Sequence, residues 1–343
     1  MRRVTASLVG SGILAVLALA GCPGGGGPGI PGGPGGKASS VDPNSCGNYA
    51  ASEAGAKLKA FLEATVQLNE SVASLEGEVK VSCAAMAEKL GVPADGDTKT
   101  VCEGVANAIR ENLSVGIQGE AAFKVDYQPA VCTVNADVAA EAAAKCEAQA
   151  SADVKVECTG TCEGTCNGTC NGKCEGSAGG GGAGGECAGT CDGTCEGSCS
   201  GGCQGSADVQ ASAECEARAE VSANVEANCT EPELNITYDA KVVVDKPKVE
   251  ATVEALKAGL PKLIALQAKL KGPVGLAVTT WAKSAKELAG ASGKLYSSLG
   301  DQAACVAGQL GAAAAMVVDV EASVNVSVEA SASVSGSASG SAG

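Results

Sequence analysis

Between Cys132 and Cys229 the cysteines are mirrored. Two runs with a four-residue period, Cys158 to Cys174 and Cys187 to Cys203, flank a Gly-rich break. The facing positions 174/187, 170/191, 166/195, 162/199 and 158/203 all sum to 361. Any two runs of equal period agree in this way once one pair is aligned. Two further pairs owe nothing to the period: Cys146 with Cys215 and Cys132 with Cys229 also sum to 361, as do Pro129 and Pro232. A constant sum marks two antiparallel segments folded about one point, here near Gly180 and Gly181. The expected bridges are Cys132-Cys229, Cys146-Cys215, Cys158-Cys203, Cys162-Cys199, Cys166-Cys195, Cys170-Cys191 and Cys174-Cys187.

The arms alternate at period two. From Cys132 to Gly176 the even positions carry Cys, Val, Ala and then Gly, while the positions between them are mostly Asp, Glu, Thr, Asn, Ser and Lys. Alternation puts one set on one face of a strand. Directly opposed residues of an antiparallel pair stand about 4.5–5.5 Å apart at Cα, inside the range a disulfide accepts. A flat ribbon with seven rungs on one face is the expectation. The competing form for the Ala-rich parts is a helical hairpin, because Ala139 to Lys145 is strongly helix-forming. The alternation favours the ribbon; in the Gly-Cys part, glycine at every fourth position opposes a helix.

The chain begins with a charged Met1-Arg2-Arg3 and a short apolar run, Leu8 to Ala20, which reads as an export signal. It closes on Leu19-Ala20-Gly21-Cys22. This resembles the lipobox of bacterial lipoproteins. The resemblance spans the first 22 residues and implies cleavage before Cys22, with lipid on its thiol and amino group. Pro23 follows where an Asp commonly retains such proteins in the inner membrane, which points to the outer membrane, facing periplasm or surface. Pro23 to Ser45 is a Gly/Pro tether, spanning on the order of 25 Å as a flexible chain.

Helical periodicity follows from Leu58 to Leu68, over about Val79 to Leu90 and over about Thr98 to Leu113. Phe123, Val125 and Tyr127 then alternate, and the rule of 361 sets them opposite Tyr238, Ile236 and Leu234. Helical patterns resume over Val249 to Leu270, Val274 to Leu288 and Gln302 to Val317; Val318 to Val334 alternates and reads as a strand. The expected fold is α+β: a helical domain built from both ends of the chain, a long inserted disulfide-laddered antiparallel β-hairpin, and a C-terminal β-strand. In order, these are a signal over 1–21, a lipidated tether over 22–45, base over 46–118, hairpin over 119–244, base over 245–316, and strand and flexible tail over 317–343.

Of the 19 cysteines, Cys22 takes lipid, fourteen form the ladder, and Cys46, Cys83, Cys102 and Cys305 remain as further disulfide candidates. Export makes oxidation the default. If the thiols were reduced, a thiolate metal cluster would be the alternative. The chain has no histidine, which removes the commonest general base and metal ligand. No nucleophile motif or phosphate loop appears, so no catalytic residue, enzyme activity or cofactor is expected. A net charge of −15 makes nucleic acid a poor partner. Residues 132–229 hold fifteen Asp and Glu against four Lys and Arg. On a ribbon the mirror rule opposes Asp153 to Asp208, Glu141 to Glu220 and Glu147 to Glu214, paired carboxylates that could hold a divalent cation. The reading favoured overall is a surface lipoprotein with a structural, spacer or adhesive role. Its one partner named by the sequence is the membrane, through the N-terminal lipid; any protein or envelope partner stays unidentified. A straight ribbon arm from 132 to 174 would reach roughly 140 Å.

Overall fold

The computed structural model describes residues 40–117, 123–148, 154–176, 185–291 and 297–340. The expected signal, the lipobox-like stretch with Cys22, most of the expected tether and the fold point at Gly180 and Gly181 lie outside them. The class is α+β.

The base is helical. Residues 58 to 90, expected as two helices, form one, α1 (Glu53–Leu90), opened by Ser52 accepting from the Gly55 amide and closed by Gly91 at φ +67°. Leu58, Phe61, Leu62, Thr65, Leu68, Val72, Leu75 and Val79 bury one stripe of it. Cys83 carries that stripe on and is bridged to Cys102 on α2 (Thr98–Gly116), whose N-cap is Asp97. α5 (Lys246–Lys271), α6 (Pro273–Gly290) and a C-terminal helix, α7 (Ala303–Gly340), complete the base. Trp281 is fully buried, and its indole N–H donates to the Thr65 hydroxyl at 2.9 Å.

α7 overturns the expected C-terminal strand. Its alternating serines are not an outward polar set. Ser331 donates to the Ser327 carbonyl and Ser337 to the Ser333 carbonyl, which satisfies the hydroxyls inside a helix. Val317, Val320, Ser327, Ala330, Ser331, Val334, Ser337 and Ala338 are buried, at steps close to the helical repeat. α7 is long and apolar enough to cross a membrane by composition, but this stripe packs on the base and Asp319, Glu321 and Glu329 lie outside it.

Two strands, β1 (Phe123–Tyr127) and β7 (Leu234–Tyr238), pair antiparallel where the arms leave the base. Their register, Phe123 opposite Tyr238 through Tyr127 opposite Leu234, is the one the mirror rule sets. Beyond the prolines, β2 (Cys132–Asn135) pairs with β6 (Asn228–Cys229). The Ala-rich arms then form helices, α3 (Ala136–Glu147) and α4 (Ala213–Val225), and correct the ribbon reading there. Asn135 starts α3 by accepting from the Asp137 and Val138 amides. Along α4 the alternation does not mark two strand faces: Ala217, Ala219, Val221 and Ala223 are buried together with Glu220, Ser222 and Asn224 between them, and Glu214, Glu216 and Arg218 in the first turns are partly exposed.

The Gly-Cys runs form β3 (Val156–Gly176), β4 (Gly185–Ser200) and β5 (Gly202–Val209). They are antiparallel but not a flat ribbon. Cys158 lies opposite Ala207 on one side and Cys195 on the other; Cys162 lies opposite Cys203 and Cys191. Further on, Cys166 lies opposite both Cys199 and Gly189. A flat hairpin offers each residue one partner strand. Here the second arm returns on the far edge of the first after ten to twelve residues, so the arms wind around each other. Cys158, Cys162, Cys166, Cys170, Cys191, Cys195 and Cys203 are at most 1% exposed, which makes sulfur the core of the coil.

Candidate functional site

The distinctive chemistry of the chain is its disulfides, and glycine lets the coil close on them. A Cβ on Gly160 would stand 1.9 Å from the Gln204 carbonyl oxygen, and one on Gly164 would stand 1.7 Å from that of Ser200. Gly160 also has φ +135°, a conformation other residues rarely adopt. The repeat Cys-x-Gly-x therefore alternates a buried sulfur with a point of backbone contact.

Nine bridges close within the described residues. Cys132–Cys229, Cys146–Cys215, Cys158–Cys203, Cys162–Cys199, Cys166–Cys195, Cys170–Cys191 and Cys174–Cys187 all join positions that sum to 361. Cys46–Cys305 ties the chain ahead of α1 to the start of α7, and Cys83–Cys102 ties α1 to α2. In the coil these bridges are not rungs between opposed residues. Cys162 and Cys199 stand 6.3 Å apart at Cα, yet Cys162 has Cys203 and Cys191 as its lateral neighbours. Each bridge crosses the inside of the coil on a diagonal, offset by four residues from the hydrogen-bonded register. Cys132–Cys229 alone among the seven is both bridged and directly opposed.

Winding also removes the long reach. Neighbouring strands lie about 4.8 Å apart, so one pass of each arm advances the coil about 10 Å. The 21 residues of β3 thus rise roughly 15–20 Å, not the 70 Å of a straight strand. The 140 Å arm of the flat reading does not exist.

Two of the carboxylates expected in pairs, Glu141 and Glu147, have other partners. Glu141 pairs with Lys145 on its own helix at 2.5 Å. Glu147 accepts from Lys57 on α1 at 2.5 Å and from the Ser212 amide at 2.6 Å, docking the helix pair on the base. Burial pushes the Glu147 carboxyl up, but the bonds from Lys57 and Ser212 outweigh it and hold the group at about 2. Glu220 is 3% exposed, takes a bond from the Asn224 side-chain amide at 2.7 Å, and is pushed up to about 8 by burial and by Asp208. Asp153, the expected partner of Asp208, lies outside the described residues. Among the described residues no group of three or more Cys, Asp or Glu is placed to hold a metal. The bridged cysteines offer no thiolate, so the described residues do not support the metal-binding alternative.

Two of the clefts among the described residues lie between the helix pair and the base or within the neck. One, of about 560 Å³, lies at the neck where the arms part between the β1–β7 and β2–β6 pairs; Tyr127, Pro129, Val131, Glu231, Pro232 and Asn235 line it. The other, of about 480 Å³, lies among α1, α3 and α4, with Lys59, Lys145 and Arg218 facing Glu63, Glu141 and Glu226. Neither was legible in the sequence, since each is made by elements far apart in the chain. The buried Glu220 was legible only as a charge. No known family, curated protein or solved structure matches the chain. The fold and its bridges define a disulfide-stabilised domain of the extracellular type.

Proposed function

We propose that this is a lipid-anchored structural protein of the bacterial envelope: a disulfide-hardened head carried on a Gly/Pro tether, in the outer membrane and facing periplasm or surface. The observation that supports this reading is the cysteine inventory. Eighteen of the nineteen cysteines are bridged, and the nineteenth, Cys22, is the residue that the lipobox resemblance assigns to lipid. The head is compact, so distance from the membrane comes from the tether and not from the coil. Its acidic surface suits a non-sticking body or an adhesive one with a protein or envelope partner, and no catalytic role is assigned.

The test is labelling with palmitate and fractionation of cells. The parent chain should carry label and sediment with membranes. Cys22→Ser should lose the label and move to the soluble fraction. A variant that stays membrane-bound as tightly as the parent would overturn the anchor.

A further inference from the structure

Half of the twelve asparagines open an Asn-x-Ser/Thr triplet: Asn69, Asn112, Asn167, Asn228, Asn235 and Asn325. This is the acceptor sequence of N-linked glycosylation in exported chains. The transferase must reach the amide and the hydroxyl two residues on together. Sequence alone does not choose among the six, but the fold does.

Asn69, Asn112 and Asn325 lie inside α1, α2 and α7, where residues two apart do not face each other. Asn167 lies on β3 with both neighbouring passes of β4 hydrogen-bonded to it. Asn228 lies on the two-residue β6, and Asn235 lies on β7, where residues two apart share a face. Each has an acid two residues before it, Glu226 and Glu233, a third handle for a transferase with a basic subsite. At Asn228 the triplet is locked. Its middle residue is bridged in Cys132–Cys229, and the Thr230 hydroxyl accepts from the Val131 amide at 3.1 Å.

At Asn235 the triplet has no bridged residue, and its backbone is held only by pairing with β1. Glu233, Asn235 and Thr237 are all exposed, while Leu234 and Ile236 between them are partly buried against the base. Carboxylate, amide and hydroxyl thus stand in a row on one open face. β7 pairs only with β1 in a two-stranded sheet, and such a sheet is marginal by itself and opens at low cost. Asn235 also borders the open neck cleft.

We propose that Asn235 is an N-glycosylation site and that the outer face of β7 is the surface an envelope oligosaccharyltransferase reads. The donor is an oligosaccharide on a polyprenyl pyrophosphate. The Asn235 amide nitrogen forms a bond to the anomeric carbon, whose bond to the pyrophosphate oxygen breaks; the polyprenyl pyrophosphate leaves with the electron pair, and the amide proton passes to a base of the transferase. The proposal rests on export of the chain, which the envelope reading also requires, but not on the lipid.

The experiment uses full-length chain from its native envelope, reduced, alkylated and cleaved after glutamate. Cleavage after Glu233 separates Asn235 from Asn228. The Asn235 peptide should carry a glycan mass increment and release sugar ions on fragmentation, whereas the Asn228 peptide should not. Asn235→Gln and Thr237→Ala should lose the increment, and Thr237→Ser should keep it. An unmodified Asn235 peptide in a chain whose cysteines are oxidised overturns the proposal. Chain recovered with free thiols overturns export itself, and the proposal with it.

Discussion

Glu220 carries a buried carboxyl group that, among the described residues, faces other carboxylates and an amide. On its own helix it has Glu216 and the Asn224 amide, and across from it β5 presents Asp208. Burial and these like charges raise it from 4.5 to about 8, so the folded protein holds a proton there at neutral pH. The unfolded chain ionises near the ordinary carboxylate value. Between those two values the folded state binds more protons than the unfolded state, so stability falls as pH rises, by about 1 kcal/mol per unit from this group. Denaturant midpoints measured from pH 5 to 8 should therefore fall. Glu220→Gln keeps the hydrogen-bonding shape without the titration and should flatten that part of the profile; an unchanged slope would show that the group is ionised and solvated in the fold.

At the scale of the element, glycine separates two kinds of position. Gly77 on α1 is exposed, and a methyl group placed there would meet nothing within 4 Å. Gly77→Ala should raise stability by up to about 1 kcal/mol through helix propensity. Gly164 in the coil touches the Ser200 carbonyl. Gly164→Ala forces neighbouring passes apart and should lower the yield of Cys162–Cys199 in non-reducing peptide maps, with shuffled bridges in its place. A normal map for that variant would mean that the arms do not wind as described.

For the whole molecule, two cores of different chemistry share one chain. The base buries Trp281, Phe61, Leu58, Leu62, Leu256 and Leu260, while the coil and the helices beside it bury cysteine, alanine and a few valines. Sulfur holds the coil only while bonded. Mild reduction should therefore open the coil first. Trypsin should then cut at Lys155 and Lys173, while the helical signal in circular dichroism stays largely intact because the base keeps its aliphatic packing. Simultaneous loss of helix and coil would mean that the bridges support both cores equally.

Much of this was present in the order of residues. The mirrored spacing is enough to make the arms antiparallel and to set β1 against β7, because a constant sum allows one register. Helical stretches of the base were readable because each has one buried stripe and one wet face. The winding was not readable. A flat ribbon and a double coil have the same sums, and only the tertiary structure decides between them, by burying sulfur between passes and giving β3 a neighbour on both edges. Alternation misled in three helices: alanine stands on both the buried and the open side of α3, most of α4 is buried with only partly exposed residues in its first turns, and Ser331, Ser335 and Ser337 of α7 bond back to the helix's own carbonyls. Local pattern reports a strand or a helix through the contrast between solvent and core. Where packing surrounds an element or satisfies its polar groups internally, that contrast disappears, and the structure is settled by what lies against it.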